Sequence, residues 1–179
     1  MSAISDAQTE LEKVQLEEVL ATILVTELES LKEVATAMIP IDRRPSQRFW
    51  EAQESIQQVS VLRACLMVFV LSLGKAVPRD FQLEALLGSL GNKDVIVSSG
   101  TGSGKTLVMT MLMLLHPMDV SLVIVPLKRL QKSQLEAFTR YQIPAVVINE
   151  DTPDDKELWK VSMYFTFTMI YYLYFVVEN

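Results

Sequence analysis

A nine-residue stretch, SSGTGSGKT at residues 98–106, has the residue types and the spacing to bind phosphate. Its alternating glycines allow backbone conformations that other residues avoid, so that several N–H groups can face one phosphate group. A lysine after such a loop can reach the β- and γ-phosphates of a nucleotide, and the next threonine can ligate Mg²⁺. The predicted ligands of ATP are therefore Thr101, Gly102, Ser103, Gly104, Lys105 and Thr106, with Thr106 also a ligand of Mg²⁺.

The strict form of this motif, G-x-x-x-x-G-K-[ST], requires glycine at position 99, where the chain has Ser99. A flexible Gly-Ser surface loop is the alternative interpretation. It is disfavoured because the Gly-Lys-Thr triplet lies between an apolar, strand-like segment at 94–98 and a strongly apolar, helix-like segment at 104–115. A strand, a glycine-rich loop and a helix in this order are the context that a phosphate-binding loop needs.

The segments around the loop predict an α/β fold with a parallel sheet. Short apolar segments at 94–98, 121–125 and 144–149 read as strands, and helices are predicted at 104–115 and 127–140. Strands and helices that alternate at this spacing form parallel sheets with right-handed crossovers.

The N-terminal part of the chain has a helical pattern, without the strand-like segments that follow it. Residues 9–39 and 46–73 are predicted to be two helices, separated by the linker PIDRRP, with Ser5 as a candidate cap of the first. The chain is thus predicted to divide into a helical N-terminal extension (1–76), a partial α/β domain (77–160) and an apolar tail (161–179).

Charge and composition narrow the classes of function. The net charge of −6 lies entirely within residues 1–60, so the rest of the chain is neutral with local basic clusters. One cysteine and one histidine exclude an intramolecular disulfide and a zinc site built from these residue types. Cys65 lies in an apolar run and is predicted to be buried. The N-terminus lacks the pattern of a secretory signal, so we expect an intracellular protein.

Three segments of the chain resemble superfamily 2 helicases. SGTGSGKT resembles their motif I, in which a small residue commonly replaces the first glycine. VPRDFQLEALLGSLGNKDVIVSS resembles the preceding segment in RecQ-like and DEAD-box helicases, where a glutamine reads adenine. Gln82 matches that glutamine, and the resemblance implies that Gln82 and Arg79, in the same segment, bind the cofactor. IVPLKRLQKSQLEAF resembles motif Ia with the RecQ-like spacing from Pro126 to Gln134. The resemblance covers roughly residues 77–160.

This resemblance implies an incomplete RecA-like lobe of a RecQ-like DNA helicase, with ATP and Mg²⁺ as cofactors and single-stranded DNA as a partner. It also implies a nuclear location if the source is eukaryotic. A solvated helix face is the alternative interpretation of the basic cluster in motif Ia. The residues implied to contact nucleic acid are Pro126, Leu127, Lys128, Arg129 and Gln134.

The catalytic acidic motif of these helicases, D-E-x-[HD], has no counterpart, because no Asp-Glu dipeptide occurs in the chain. Glu150 and Asp151 are weak candidates, in reversed order and too early in the sequence. A second lobe is also expected to be missing. The resemblance therefore predicts ATP binding by a truncated helicase, with impaired hydrolysis and unwinding.

Two other functions stay open. One is a nucleotide-sensing or helical interaction protein, in which residues 9–39 and 46–73 bind a protein partner. The other is a complete small NTPase that places Asp151 on Mg²⁺.

The tail at 161–177 contains no charged residue. It could be a membrane anchor at the lower limit of spanning length, a strand or helix packed on the sheet, or unrelated coding sequence as in a truncated gene product. The abrupt end of the resemblance near Lys160 favours the last of these.

Overall fold

The computed structural model of the chain describes residues 2–125, 127–151 and 172–173. Helices dominate these residues, and the strands are two residues long. The elements in chain order are α1 (Ser2–Val25), α2 (Leu28–Met38), a 3₁₀ turn (Ile41–Arg43), α3 (Gln47–Glu51), α4 (Ser55–Leu71), α5 (Asp80–Leu90), α6 (Thr106–Leu115), β1 (Leu122–Val123), α7 (Lys128–Arg140) and β2 (Tyr172–Leu173).

The predicted helix at 9–39 is two helices, α1 and α2, interrupted at Thr26 and Glu27. A tertiary contact stabilises the interruption, since the Nη2 of Arg63 on α4 donates to the carbonyl oxygen of Thr26 at 3.2 Å. The predicted cap was wrong, because α1 begins at Ser2 and therefore already contains Ser5. A cap at Ser5 would start the helix at residue 6, so the observed start lies four residues earlier.

The predicted helix at 46–73 is also interrupted, between α3 and α4. Ser46 caps α3 by accepting a hydrogen bond from the Phe49 N–H at 3.1 Å. Glu54 precedes α4, and its own N–H donates to the Gln57 side chain at 2.9 Å. Each start is therefore capped by short-range hydrogen bonds that a pattern of apolar residues does not report.

The linker PIDRRP ties these helices to one another. Arg44 donates to the carbonyl oxygens of Thr36 and Ile39, which end α2. Arg43 donates to the carbonyl oxygens of Gly74 and Lys75, which follow α4. Because orphan carbonyls at helix ends need donors, the two arginines fix the ends of both helices.

Helix α4 is the centre of one hydrophobic core. Its residues Val61, Ala64, Leu66 and Val68 are fully buried, and α4 packs against α1, α2, α5 and α6. The same cluster of buried residues runs from α1 to α6, so residues on both sides of position 76 share it. The apolar face predicted for 46–73 is consequently occupied within the chain.

The parallel sheet predicted from the sequence is not formed across the described residues. Of the three predicted strands, 121–125 is reduced to β1, which pairs in parallel with β2 in the register Leu122 to Tyr172. The segments 94–98 and 144–149 form no strand. Exposure alternates along 94–98, where Ile96 is 83% exposed, whereas the first three residues of 144–149 are all exposed. A short run of apolar, β-branched residues has strand propensity, but a strand forms only where another segment supplies hydrogen-bonding partners.

One strand nevertheless reaches the tail, since β2 lies within the predicted tail segment 161–177. The rest of that segment lies outside the described residues. Among the helices that the structure does describe, we find none with the length and apolar content to cross a membrane.

Candidate functional site

The glycine-rich loop leads directly into α6, with Lys105 at the N-cap position. Gly102 and Gly104 have φ angles of 78° and 86°, which favour glycine, and the Ser103 N–H closes a turn onto the Gly100 carbonyl oxygen at 3.2 Å. A Cβ added at Gly100 or Gly102 would meet open space. The loop thus has the left-handed backbone and the open surroundings that close approach of a ligand to the main chain requires.

Most of the loop's backbone donors have no protein acceptor among the described residues. This holds for the N–H groups of Thr101, Gly102, Gly104, Lys105 and Thr106. The first N–H groups of a helix lack intrahelical partners, and the helix dipole favours an anion beside them. In addition, Ser103 Oγ is buried, and no group in the described part of the chain forms a hydrogen bond with it. These N–H groups are suited to donate hydrogen bonds to the phosphate oxygens of a nucleoside triphosphate.

The Lys105 side chain folds back onto its own loop. Its Nζ donates to the carbonyl oxygens of Ser99 and Gly100, the second at 3.1 Å. An ammonium group has three donors. To contact the β- and γ-phosphates, as the sequence predicts, Lys105 would exchange loop carbonyl oxygens for phosphate oxygens.

Gln82 connects the segment before the loop to the loop itself. It is buried, with only 3% of its surface exposed. Its Oε1 accepts from the Arg79 N–H at 2.8 Å, and its Nε2 donates to the carbonyl oxygens of Gly104 at 2.9 Å and Ser103 at 3.3 Å. Both ends of the carboxamide are therefore bonded to the main chain, whereas Arg79 is exposed at the start of α5.

The φ of 86° and this contact both favour glycine at position 104. A Cβ at position 104 would lie 2.7 Å from Gln82 Nε2, closer than a nonbonded contact allows. The structure therefore places Gln82 against the glycine-rich loop. Adenine reading, the role predicted for Gln82, would require its carboxamide to change partners.

The predicted nucleic-acid segment forms the start of α7. Lys128 and Arg129 are exposed, as is Leu127 before them, while Gln134 is half-buried. Pro126 lies outside the described residues. The N-terminal end of α7 thus presents basic side chains to solvent, as an interface with phosphates requires.

Lys128 also contacts the two weak candidates for catalytic carboxylates. Its Nζ forms ion pairs with Glu150 and with Asp151, the latter at 2.6 Å. The hydrogen bonds that Lys128 donates to Asp151 and, with a smaller effect, to Glu150 raise the pKa of Lys128 above its usual value. Two predicted sites, one for phosphates and one for catalysis, therefore form a single charge cluster.

The segment that bears these carboxylates is tied to α7 by residues that the sequence analysis did not single out. Asn149 Nδ2 donates to Gln131 Oε1 at 2.9 Å, and Gln131 Nε2 donates to the Val125 carbonyl oxygen at 3.3 Å. Asn149 Oδ1 also accepts from the Asp151 N–H at 2.9 Å. Asn149 and Gln131 are too far apart in the sequence to form a recognisable motif, so only the folded chain reveals their contact.

Neither cysteine nor metal chemistry emerges from the described residues. Burial raises the pKa of the Cys65 thiol to about 12, as expected for the buried side chain that the sequence predicted. Across the described ranges, no group of three or more His, Cys, Asp or Glu side chains could hold a metal ion.

Comparison with known proteins bears on these features together. Residues 79–168 match the family model described as DEAD/DEAH box helicase. A stretch of 87 residues is 33% identical to the ATP-dependent DNA helicase hus2/rqh1 of Schizosaccharomyces pombe. That stretch is 47% of this chain and 7% of the relative, so the chain spans a small part of that protein's length. No solved structure matches the chain significantly.

The family match confirms the resemblance to DEAD-box and RecQ-like helicases. It includes the glycine-rich loop, Gln82 and α7, and it runs past Lys160, where the resemblance was expected to end. Because the matched range spans half of the chain, the protein belongs to the DEAD/DEAH box helicase family.

Proposed function

We propose that this chain binds ATP·Mg²⁺ at residues 99–106, as part of a RecQ-like, ATP-dependent DNA helicase with a RecA-like α/β lobe. The observation that carries the proposal is the set of unused donors at the start of α6, in a loop with the sequence SGTGSGKT. Lys105 and the loop N–H groups would hold the triphosphate, and Thr106 would hold Mg²⁺. The bound Mg²⁺ would neutralise phosphate charge.

Contact with DNA would fall to the start of α7. The exposed basic groups of Arg129 and Lys132 support this part of the proposal, together with Lys128 once it exchanges its carboxylate partners. Leu127 and Gln134 would contact the same DNA strand. Single-stranded DNA is preferred over RNA in the proposal because the relative named above is a DNA helicase. A nuclear location, in a eukaryotic source, belongs to the same proposal.

Hydrolysis is proposed to be weak. Glu150 and Asp151 contact Lys128 rather than the glycine-rich loop, which disfavours a catalytic role for either carboxylate in this arrangement. A complete small NTPase, the other enzyme considered, would show steady ATP turnover that is lost in Asp151→Ala. We expect slow turnover that this substitution leaves unchanged.

Nucleotide titration tests the proposal. A fluorescent ATP analogue with Mg²⁺ is titrated into the full chain, into Lys105→Ala and into the control Lys93→Ala. Lys93 is an exposed lysine outside the loop. We expect binding by the wild type and the control, and a loss of at least about tenfold in Lys105→Ala, since a charge-assisted contact contributes about 1.5–3 kcal/mol. Equal binding by all three proteins, or none, would refute ATP binding at this loop.

An interaction protein without helicase activity is the second candidate. The observation that favours it is the outer face of α1, where Leu11, Val14 and Val25 are exposed. The same titration separates the two candidates, because an interaction protein that does not sense nucleotide would remain folded and bind none.

A further inference from the structure

At the start of α7, the positive charge of Lys128 is paired with two carboxylates of the same chain. Lys128 Nζ contacts one oxygen of Glu150 and one of Asp151. All three side chains remain accessible to solvent, with exposed fractions of 48%, 78% and 73%. Lys128 thus uses two of the three donors of its ammonium group on carboxylates at the protein surface.

The carboxylates are held in position by their own segment. Asn149 bonds to Gln131 on α7, and Asn149 Oδ1 accepts from the Asp151 N–H. These bonds keep residues 149–151 beside the first turn of α7. The pairing of Glu150 and Asp151 with Lys128 therefore depends on a fixed main chain as well as on charge attraction.

We propose that Glu150 and Asp151 compete with nucleic-acid phosphate for Lys128. A DNA strand must displace these two carboxylates before Lys128 can bind one of its phosphates. Carboxylate and phosphate oxygens accept the same charge-assisted hydrogen bonds from an ammonium group. This inference rests on the proposed DNA contact at α7.

The competition is expected to tune affinity rather than abolish it. Exposed ion pairs are weak and screened by salt, so the carboxylates can be displaced. The neighbouring cations Arg129 and Lys132 are exposed and form no ion pair within the described part of the chain. They would make the first phosphate contacts, and Lys128 would join on displacement of its partners.

Binding of a fluorescent oligothymidylate at several salt concentrations tests the competition. The variant is Glu150→Gln/Asp151→Asn in the full chain. Its control, Glu84→Gln/Glu136→Gln, changes the charge equally at two exposed carboxylates without ion pairs among the described residues. Circular dichroism confirms that each protein is folded.

We expect the Glu150→Gln/Asp151→Asn variant to bind several-fold more tightly than both the wild type and the control. The slope of log K against log salt should steepen by about 0.7, the value for one more single-strand phosphate contact. Lys128→Ala should have little effect in the wild type and should remove the gain in the double variant.

Two results would overturn the inference while leaving the proposed function intact. One is a double variant with the affinity and salt slope of its control. The other is an equal loss on Lys128→Ala in the wild type and in the double variant. If none of the proteins bound the oligonucleotide, the proposed DNA contact would itself be wrong, and the inference would fall with it.

Discussion

At the scale of the residue, two separate features of the structure favour glycine at position 104, and the sequence motif does not distinguish them. Its φ of 86° is unfavourable for other residues, and a Cβ there would meet Gln82 Nε2 at 2.7 Å. Gly102 shares the first requirement but not the second, and Gly100 has neither. The three glycines of one loop therefore form a natural series that separates backbone strain from close contact.

We predict that alanine substitutions will follow this series in urea unfolding. Gly100→Ala should change the free energy of unfolding by less than about 0.5 kcal/mol. Gly102→Ala should cost about 1–2 kcal/mol through left-handed strain, and Gly104→Ala should cost more because Gln82 must also move. Adding Gln82→Ala should remove only the extra cost of Gly104→Ala over Gly102→Ala. Equal costs at positions 102 and 104 would contradict the role of the contact.

At the scale of the element, α4 is an apolar helix that has neighbours on most of its sides. The sequence shows an uncharged run from residue 64 to residue 73, which is too short for a membrane span. The structure explains the run by packing, because α1, α2, α5 and α6 all contact this helix. A helix that is apolar all round is a buried helix.

We predict a large difference between two truncations on α4. Leu66 is fully buried and Ile56 is 76% exposed, although both are large aliphatic residues of one helix. Leu66→Ala should lower the free energy of unfolding by about 2–5 kcal/mol, since it removes buried contacts and leaves a cavity. Ile56→Ala should change it by less than about 0.5 kcal/mol. Chemical denaturation measures both values, and similar losses would contradict the central position of α4.

At the scale of the whole molecule, the proposed boundary at residue 76 separates two kinds of sequence pattern, but a single hydrophobic core extends across it. Buried residues of α1, α2 and α4 belong to the same cluster as those of α5 and α6. The division into an extension at 1–76 and a domain at 77–160 stays a proposal about organisation, and packing predicts mutual dependence of the two parts.

We predict that residues 1–76 will not fold as a monomer. Removal of α5 and α6 exposes buried side chains of α4, and exposed apolar patches of this kind cause association. In analytical ultracentrifugation the fragment should self-associate, while thermal unfolding of the full chain at equal concentration should be cooperative. A monomeric 1–76 fragment that unfolds cooperatively would show two independent cores instead.

The sequence by itself identified the glycine-rich loop as a candidate phosphate site, its place before a helix and the helicase resemblance. These depend on local order and spacing, which the motif from Ser98 to Thr106 carries without help from distant residues. It also located the helical regions approximately. Their interruptions at 26–27 and 52–54 escaped prediction because single hydrogen bonds stabilise them. One runs from Arg63 to the Thr26 carbonyl oxygen, and the other runs from the Glu54 N–H to the Gln57 side chain.

Only the tertiary structure decided which partners the predicted functional groups have. Gln82 bonds to Gly104 and Lys128 bonds to Glu150 and Asp151 across more than 20 positions of sequence, and such contacts leave no periodic trace. The same reason applies to the sheet. Short runs of apolar, mostly β-branched residues at 94–98 and 144–149 show strand propensity, but hydrogen bonds between strands depend on neighbours that a single segment does not specify.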